Sequence, residues 1–407
     1  MKEIIDEIEE PVFPDYENSI LNLSNSILQH FGVKPEHHTL ASVDEILSHN
    51  YKHVVVILLD GLGMNILEKH LTYKDFLRRH LLSDYSSVFP PTTTASTTTF
   101  LSGKSPVEHG WLGWDVYFEQ EDKTVTCFFN TLQDSDKQAA DYNIPGKYIP
   151  YENIIEKINK AEVGKAYSVF PFGDEPHPQM SDWLDTIRKH CHKDEKNFVY
   201  AYWENPDHEL HFKGTNSNDV AKIVQDLNAK MTYICEECPE TVFFITADHG
   251  HTDIRNETLV EDHPEISKML IRQTSIEPRA ISFYVKPEFM DKFPEAFKKE
   301  FGKDYILFSK AEALEKQLFG PGFPNSNLTG IGDFIAAAYK EKTLVWNKNS
   351  KQFKSHHAGL SKNELSIPLI WYESKPKRIG LIIYYALIAL FVTFLFIAII
   401  SRIKISL

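Results

Sequence analysis

Three apolar runs in this chain each break off at a carboxylate. Val54–Leu59 (VVVILL) leads into Asp60-Gly61-Leu62-Gly63, and Phe198–Trp203 (FVYAYW) leads into Glu204-Asn205-Pro206-Asp207. Val242–Thr246 (VFFIT) leads into Asp248-His249-Gly250-His251. Continuous rather than alternating apolar runs are expected of strands covered on both faces, as in a parallel sheet between helix layers. Further strand-like runs lie at Ala166–Val169, Ala280–Val285 and Ile367–Tyr372. Helical stripes lie between the runs: Ile20, Leu23, Ile27, Leu28 and Phe31 ahead of Gly32, and a long pattern near 217–237. The expected fold is an α/β sandwich with a mostly parallel central sheet. Such sheets bind ligands outside the carboxyl ends of their strands, so the three acid-bearing loops should meet along one edge.

Composition narrows the function. The chain has 407 residues, 42% hydrophobic and 25% charged, with a formal net charge of −14. This excludes a disordered or collagen-like chain, and the acidic balance argues against nucleic-acid binding. Four cysteines are too few for a disulfide scaffold and fit a reducing compartment. Cys235 and Cys238 form a C-x-x-C, but they continue the helical stripe of Val220, Ile223, Val224, Leu227, Met231 and Ile234 and read as buried thiols. His190, Cys191 and His192, among lysines, read as the solvated end of a helix.

The strand-end loops hold a metal chemist's inventory. Asp207-x-x-x-His211 puts two ligands on one face if the segment is helical. Asp248 and His249 follow a strand directly, and His356-His357 precedes the last strand. Oxygen and nitrogen donors in this mixture suit two Zn²⁺ ions. Taken singly, each motif has an ordinary reading: LLDG is also a common α/β turn, and most D-x-x-x-H spacings are accidental. The stretch Ser86–Gly103 (SSVFPPTTTASTTTFLSG) offers a nucleophile. Phe89-Pro90-Pro91 should hand the chain to a helix whose first turn carries Thr92, Thr93 and Thr94. A hydroxyl there faces free backbone N–H groups and the positive dipole end, a natural seat for a phosphoryl group.

The ordered set of Asp60-Gly61, FPPTTTASTTTFLSGKSPVEHG, ENPDHELH, TADHGH and SHHAGL resembles the alkaline phosphatase superfamily, in particular the type I phosphodiesterase/nucleotide pyrophosphatase family. The resemblance covers roughly 50–372 and is loose over 110–195 and much of 255–350, the segments expected to shape the substrate pocket. It implies an alkaline-phosphatase-like sandwich and a two-metal phosphoric ester hydrolase. It also implies one ion held by Asp60, Thr93, Asp248 and His249, with Thr93 as nucleophile, and a second held by Asp207, His211 and His357. Thr93 has the family's spacing to Gly103, with Thr92 and Thr94 as neighbouring alternatives. The chain departs from the family pattern at Ser96, expected to contact a phosphate oxygen where the family often has Asn. It departs again at His357-Ala358-Gly359, which leaves His356 as a rival ligand. Glu277-Pro278-Arg279 and Gly332-Asp333 also resemble bacterial members, without an assigned role. The reaction expected is phosphodiester or nucleotide-type hydrolysis through a phosphothreonine. The alternatives are monoester hydrolysis, or a metal-holding membrane module without turnover.

The remaining feature is the tail. Ile379–Ile400 is a 22-residue run without charge. About 20 apolar residues span a bilayer as a helix. Lys375, Lys377 and Arg378 precede it, and Arg402 and Lys404 follow. The expected organisation is a catalytic domain over 1–374, a basic linker at 375–378, a transmembrane helix at 379–400 and a basic tail at 401–407. The N-terminus lacks the pattern of a secretory signal, so the expectation is a single-pass C-terminal anchor in the lipid bilayer with the catalytic domain in the cytoplasm. The span lacks G-x-x-x-G, so no dimer face is implied.

Overall fold

The computed structural model describes residues 10–49, 51–347 and 353–374. The expected span at 379–400 lies outside them, and among the described residues no helix is long and apolar enough to cross a membrane.

Six strands form the central sheet: β1 (His53–Leu59), β2 (Leu81–Ser86), β3 (Lys165–Val169), β4 (Asn197–Trp203), β5 (Thr241–Thr246) and β6 (Ser366–Glu373). Their order across the sheet is β2-β6-β5-β1-β4-β3. β1 pairs in parallel with β4 and β5, and β4 pairs in parallel with β3. β6 is the reversed strand, antiparallel to both β5 and β2. Every residue of β1, β4 and β5 is buried, the outcome their unbroken apolar runs call for. Helices cover both faces. Ile20–His30 packs Ile20, Leu23, Ile27 and Leu28 into the core, and the long helix Asn218–Glu237 does so with Val220, Val224, Leu227, Met231 and Ile234. Cys235 is buried in that helix and Cys238 just past its end. Cys191 is buried as well and His190 is half-buried against Tyr167, so only His192 matches the solvated helix end expected there.

The alternation of strand and helix does not hold throughout. Ala280–Phe283 belongs to a second sheet of seven antiparallel strands rather than to the central one. That sheet also contains Asp115–Phe118, Lys123–Thr126 and Ser275–Glu277. Its strands are two to five residues long, too short for hydrophobic periodicity to register. It has its own cores, one around Phe89, Val116, Phe118 and Ile335, another around Phe283, Phe293 and Phe297. A two-stranded ladder pairs His356 with Thr252 and so delivers both ends of the histidine inventory to one place.

Candidate active site

β1, β4 and β5 lie side by side in parallel, so their C-terminal ends open on one edge. Asp60, Asp207 and Asp248 therefore meet although 188 positions separate the first from the last. The turn after β1 demands glycine. Gly61 has φ +74°, and a Cβ there would stand 2.9 Å from the Asp207 backbone. Gly61 N–H donates to Asp248 Oδ1 at 3.1 Å and Asp207 N–H to the Asp60 carbonyl at 3.0 Å, so the three loops lock together.

Thr93 opens the helix Thr93–Ser102. Its two neighbours are otherwise engaged. Thr92 is buried and donates to Glu277 Oε1 at 2.7 Å, while Thr94 is buried without a partner. Thr93 alone of the three is partly exposed. Its Oγ1 stands 3.3 Å from Asp60 Oδ2 and 3.3 Å from His249 Nε2.

The site fits metal ions on three observations. Asp248 Oδ2 is fully buried with no hydrogen-bond partner, a costly state for a carboxylate unless a cation completes it. The donor spacings match: His249 Nε2 is 3.2 Å from Asp60 Oδ1, and His211 Nε2 is 3.4 Å from Asp207 Oδ1. Tetrahedral zinc with bonds of about 2.0–2.1 Å sets its ligands about 3.3 Å apart. Finally, the ring contacts suit ligation. His249 Nδ1 lies 3.2 Å from the Gly250 carbonyl and His211 Nδ1 lies 3.0 Å from that of Ser355, so with a proton on Nδ1 each ring would turn its Nε2 lone pair to an ion. Asp60, Asp248 and His249 form one group within ligand reach, and Asp207, His249, His251 and His357 form another.

His357 and His356 differ. Nε2 of His357 faces Asp207 Oδ1 at 3.7 Å, and its Nδ1 has no partner. Nδ1 of His356 sits 2.9 Å from the His357 N–H as an acceptor, yet His356 also groups with His211 and His357 within ligand reach. Ala358, between His357 and Gly359, has φ +86°, a conformation L residues rarely adopt. The turn is held from below. Gly359 N–H donates to Glu364 Oε1 at 2.6 Å, and Glu364 is paired with the fully buried Arg279.

The electrostatics favour a cation. Burial, then the charge of Asp207, pushes the Asp60 carboxyl up. Burial, then Asp60, pushes Asp248 well up. Burial also acts on Asp207, but His211, His251 and His249 outweigh it and hold its carboxyl down. Burial opposes a proton on His249, yet Asp248 and Asp60 override it and raise the imidazole to about 10. Burial lowers His211, and lowers His357 far more.

Ser96 is not at this site. It is fully buried, its Oγ lies 2.9 Å from Ser87 Oγ, and it does not line the cavity. Three residues past Thr93, its side chain has turned away from the cavity. Sequence reading had no role for His251, Tyr202 or Glu277. His251 Nε2 stands 2.6 Å from Asp207 Oδ1, a hydrogen-bond distance, and orients that carboxylate. Tyr202 donates to Asp60 Oδ2 from the end of β4. The signal for His251 was present in TADHGH, three residues past Asp248.

A cavity of about 570 Å³ opens over Thr93, Asp207 and His357. Its walls come from 114–136, 257–278 and 343–346 and include Trp114, Phe129 and Trp346. Among the described lining residues there is no Lys or Arg.

A parallel-stranded α/β sheet that gathers Asp and His donors able to hold metal around a threonine in the first turn of a helix defines the metal-dependent phosphoric ester hydrolases of the alkaline phosphatase type. The chain belongs to the type I phosphodiesterase/nucleotide pyrophosphatase family, whose model matches residues 54–386. Human ectonucleotide pyrophosphatase/phosphodiesterase family member 5 is 22% identical over 224 residues, 51% of this chain and 46% of that protein. The match thus takes in about half of that relative's length. The fold is shared with murine ectonucleotide pyrophosphatase/phosphodiesterase 5, solved as an inactive variant in complex with AMP. The TM-score is 0.60 at 16% identity, over 78% of this chain and 87% of the murine one. It is also shared with phosphonoacetate hydrolase from Sinorhizobium meliloti 1021 in complex with phosphonoformate, with a TM-score of 0.57 at 13% identity, over 79% and 90% of the two chains.

Proposed function

We propose that this protein is a two-metal phosphodiesterase that cleaves nucleotide-type or related small phosphodiesters through a phosphothreonine on Thr93. The observation that carries this is the Thr93 hydroxyl, partly open to the cavity and 3.3 Å from both Asp60 and His249. Asp60, Asp248 and His249 would hold one ion beside Thr93, and Asp207, His211 and His357 the other. Zinc suits this donor set, and bound there it would ease ionisation of the attacking hydroxyl and offset charge on the leaving oxygen. Thr93 Oγ1 displaces the leaving alcohol or phosphate in line. The free N–H groups of the helix's first turn face the non-bridging oxygens. Water then cleaves the phosphothreonine from the vacated side and regenerates Thr93. Diester hydrolysis is favoured over monoester hydrolysis because a dianion needs extra positive groups, and the described cavity wall has no Lys or Arg. We further propose, on the sequence of 379–400 alone, that the chain is anchored in a bilayer by that run with its catalytic domain in the cytoplasm.

The test is hydrolysis of a nitrophenyl phosphodiester and a nitrophenyl phosphomonoester by the full chain in detergent, with Zn²⁺ supplied and with a chelator. Zinc-dependent diester cleavage that disappears in Thr93→Ala is expected. A monoester preference would reassign the reaction, and absence of bound metal would overturn the catalytic reading.

A further inference from the structure

The cavity over Thr93 is walled by aromatic rings and carboxylates. Trp114 is 40% exposed and Phe129 61% exposed, open faces on side chains that burial ordinarily claims. Their ring centroids are 5.6 Å apart and their planes meet at 70°, so the two rings form a corner. That corner is fixed beside the nucleophile. Trp114 N–H donates to Glu277 Oε1 at 2.9 Å, and the same oxygen accepts from Thr92, the residue before Thr93.

The second component of the wall is negative charge. Asp115, Asp134 and Asp136 line the same cavity. Asp115 accepts from the Thr126 hydroxyl and Asp134 from the Gln273 amide, both neutral groups. Among the described lining residues no Lys or Arg balances them. The metals do not need them either, since two divalent ions would be matched by Asp60, Asp207, Asp248 and the diester's own single charge. Nor do the three aspartates meet closely enough to hold an ion of their own among the described residues. Charge spread around an aromatic corner suits a bulky organic cation rather than a metal. Aromatic faces attract such a cation within about 6 Å of the ring centroid, and quaternary ammonium groups are bound in cages of this kind. A second phosphate on the substrate would be repelled by the same carboxylates.

We propose that the cavity selects phosphodiesters with an alkylammonium alcohol on one ester arm, the ammonium resting on Trp114 and Phe129 within the field of Asp115, Asp134 and Asp136. The inference rests on the phosphodiesterase reading of the site and narrows it. The phosphodiester then lies at Thr93, and the cationic arm runs from it along the wall that Glu277 ties to Thr92.

Two measurements on the zinc-loaded full chain test this. The first is kcat/KM for nitrophenyl phosphocholine against nitrophenyl neohexyl phosphate, in which a carbon of the same shape replaces the ammonium nitrogen. The choline ester should be favoured about 10-fold. Nitrophenyl esters of phosphoethanolamine and of thymidylate run beside them. The ethanolamine ester tells a primary ammonium from a quaternary one, and a gain over the neohexyl ester with either supports the proposal. Trp114→Leu and Asp134→Asn should each shrink the ratio of charged to neutral ester, while Trp114→Phe should keep most of it. Partial loss of folded enzyme does not move that ratio. Equal rates on the charged and neohexyl esters would overturn the proposal. So would a preference for the thymidylate ester, which would assign the aromatic corner to a nucleobase. The second measurement is calorimetry of methyl phosphocholine and methyl neohexyl phosphate on Thr93→Ala, where tighter binding of the choline diester is expected. If wild type cleaves no diester with metal bound, the phosphodiesterase reading fails, and this binding difference still decides what the wall selects. Equal binding of the two, or binding of neither, sinks the inference.

Discussion

Two buried charge clusters lie within this protein, and one is complete while the other is not. Arg279 and Glu364 are both fully buried. Arg279 Nε and one terminal nitrogen each bond a Glu364 oxygen at 2.7 Å, and the other terminal nitrogen bonds the carbonyls of Lys340 and Lys342. Glu364 also accepts from Gly359 N–H and Ser361 Oγ. Charge is balanced and the donors are used. At the sheet edge, Asp60, Asp207 and Asp248 face one another, Asp248 Oδ2 has no hydrogen-bond partner, and His249 is driven to hold a proton by its neighbours. A complete cluster fixes a fold, here the turn that carries His357. An incomplete one is suited to completion by a cation.

This contrast can be broken by experiment. Thr93→Ala should have the largest effect, a loss of at least about 10⁴-fold in diester turnover with metal content unchanged, as for removal of other covalent nucleophiles. The complete cluster should respond in stability instead. Glu364→Ala removes the carboxylate that pairs with the buried Arg279 and should cost about 3–5 kcal/mol in urea unfolding. Metal should stabilise only through the incomplete cluster. At about 100 times its Kd it adds about 2.7 kcal/mol, and Asp248→Asn should reduce that gain while Arg279→Met should not. Without metal, pH should reveal His249. Its raised pKa means the folded protein holds a proton that the unfolded chain loses above its ordinary value of 6.5. Stability should therefore fall as pH rises from 6.5 to about 10, by up to about 1.4 kcal/mol per pH unit from His249, a contribution removed in His249→Gln while that of the raised Asp60 and Asp248 carboxyls remains. The smallest effect belongs to Ser96→Ala, which should cost about 1 kcal/mol of stability through its bond to Ser87 and leave turnover intact.

The edge of the sheet was legible because strands buried on both faces advertise themselves, and the residues just past such a strand must sit at its carboxyl end. Asp60, Asp207, Asp248 and His249 could be placed from VVVILL, FVYAYW and VFFIT alone, while Thr93 needed the helix to fix which of three threonines looks outward. The second sheet was illegible, since strands such as Ser275–Glu277 are too short for a period to show. The residues it contributes were illegible with it: Glu277 and Arg279 came with no role attached. Ser96 shows the complementary difficulty. The family resemblance implies a contact from Ser96 to a phosphate oxygen, but the helix carries residue 96 round to the core.

The reversed strand β6 has a consequence for where the described chain ends. It runs against β5, so Ser374 comes to rest beside Thr241, where its N–H meets the Thr241 carbonyl at 2.9 Å. The other end of β5 is about 17 Å away at roughly 3.3 Å per residue, and Asp248 lies two residues past it. The described chain therefore ends at the opposite end of the central sheet from the edge that carries Asp60, Asp207 and Asp248.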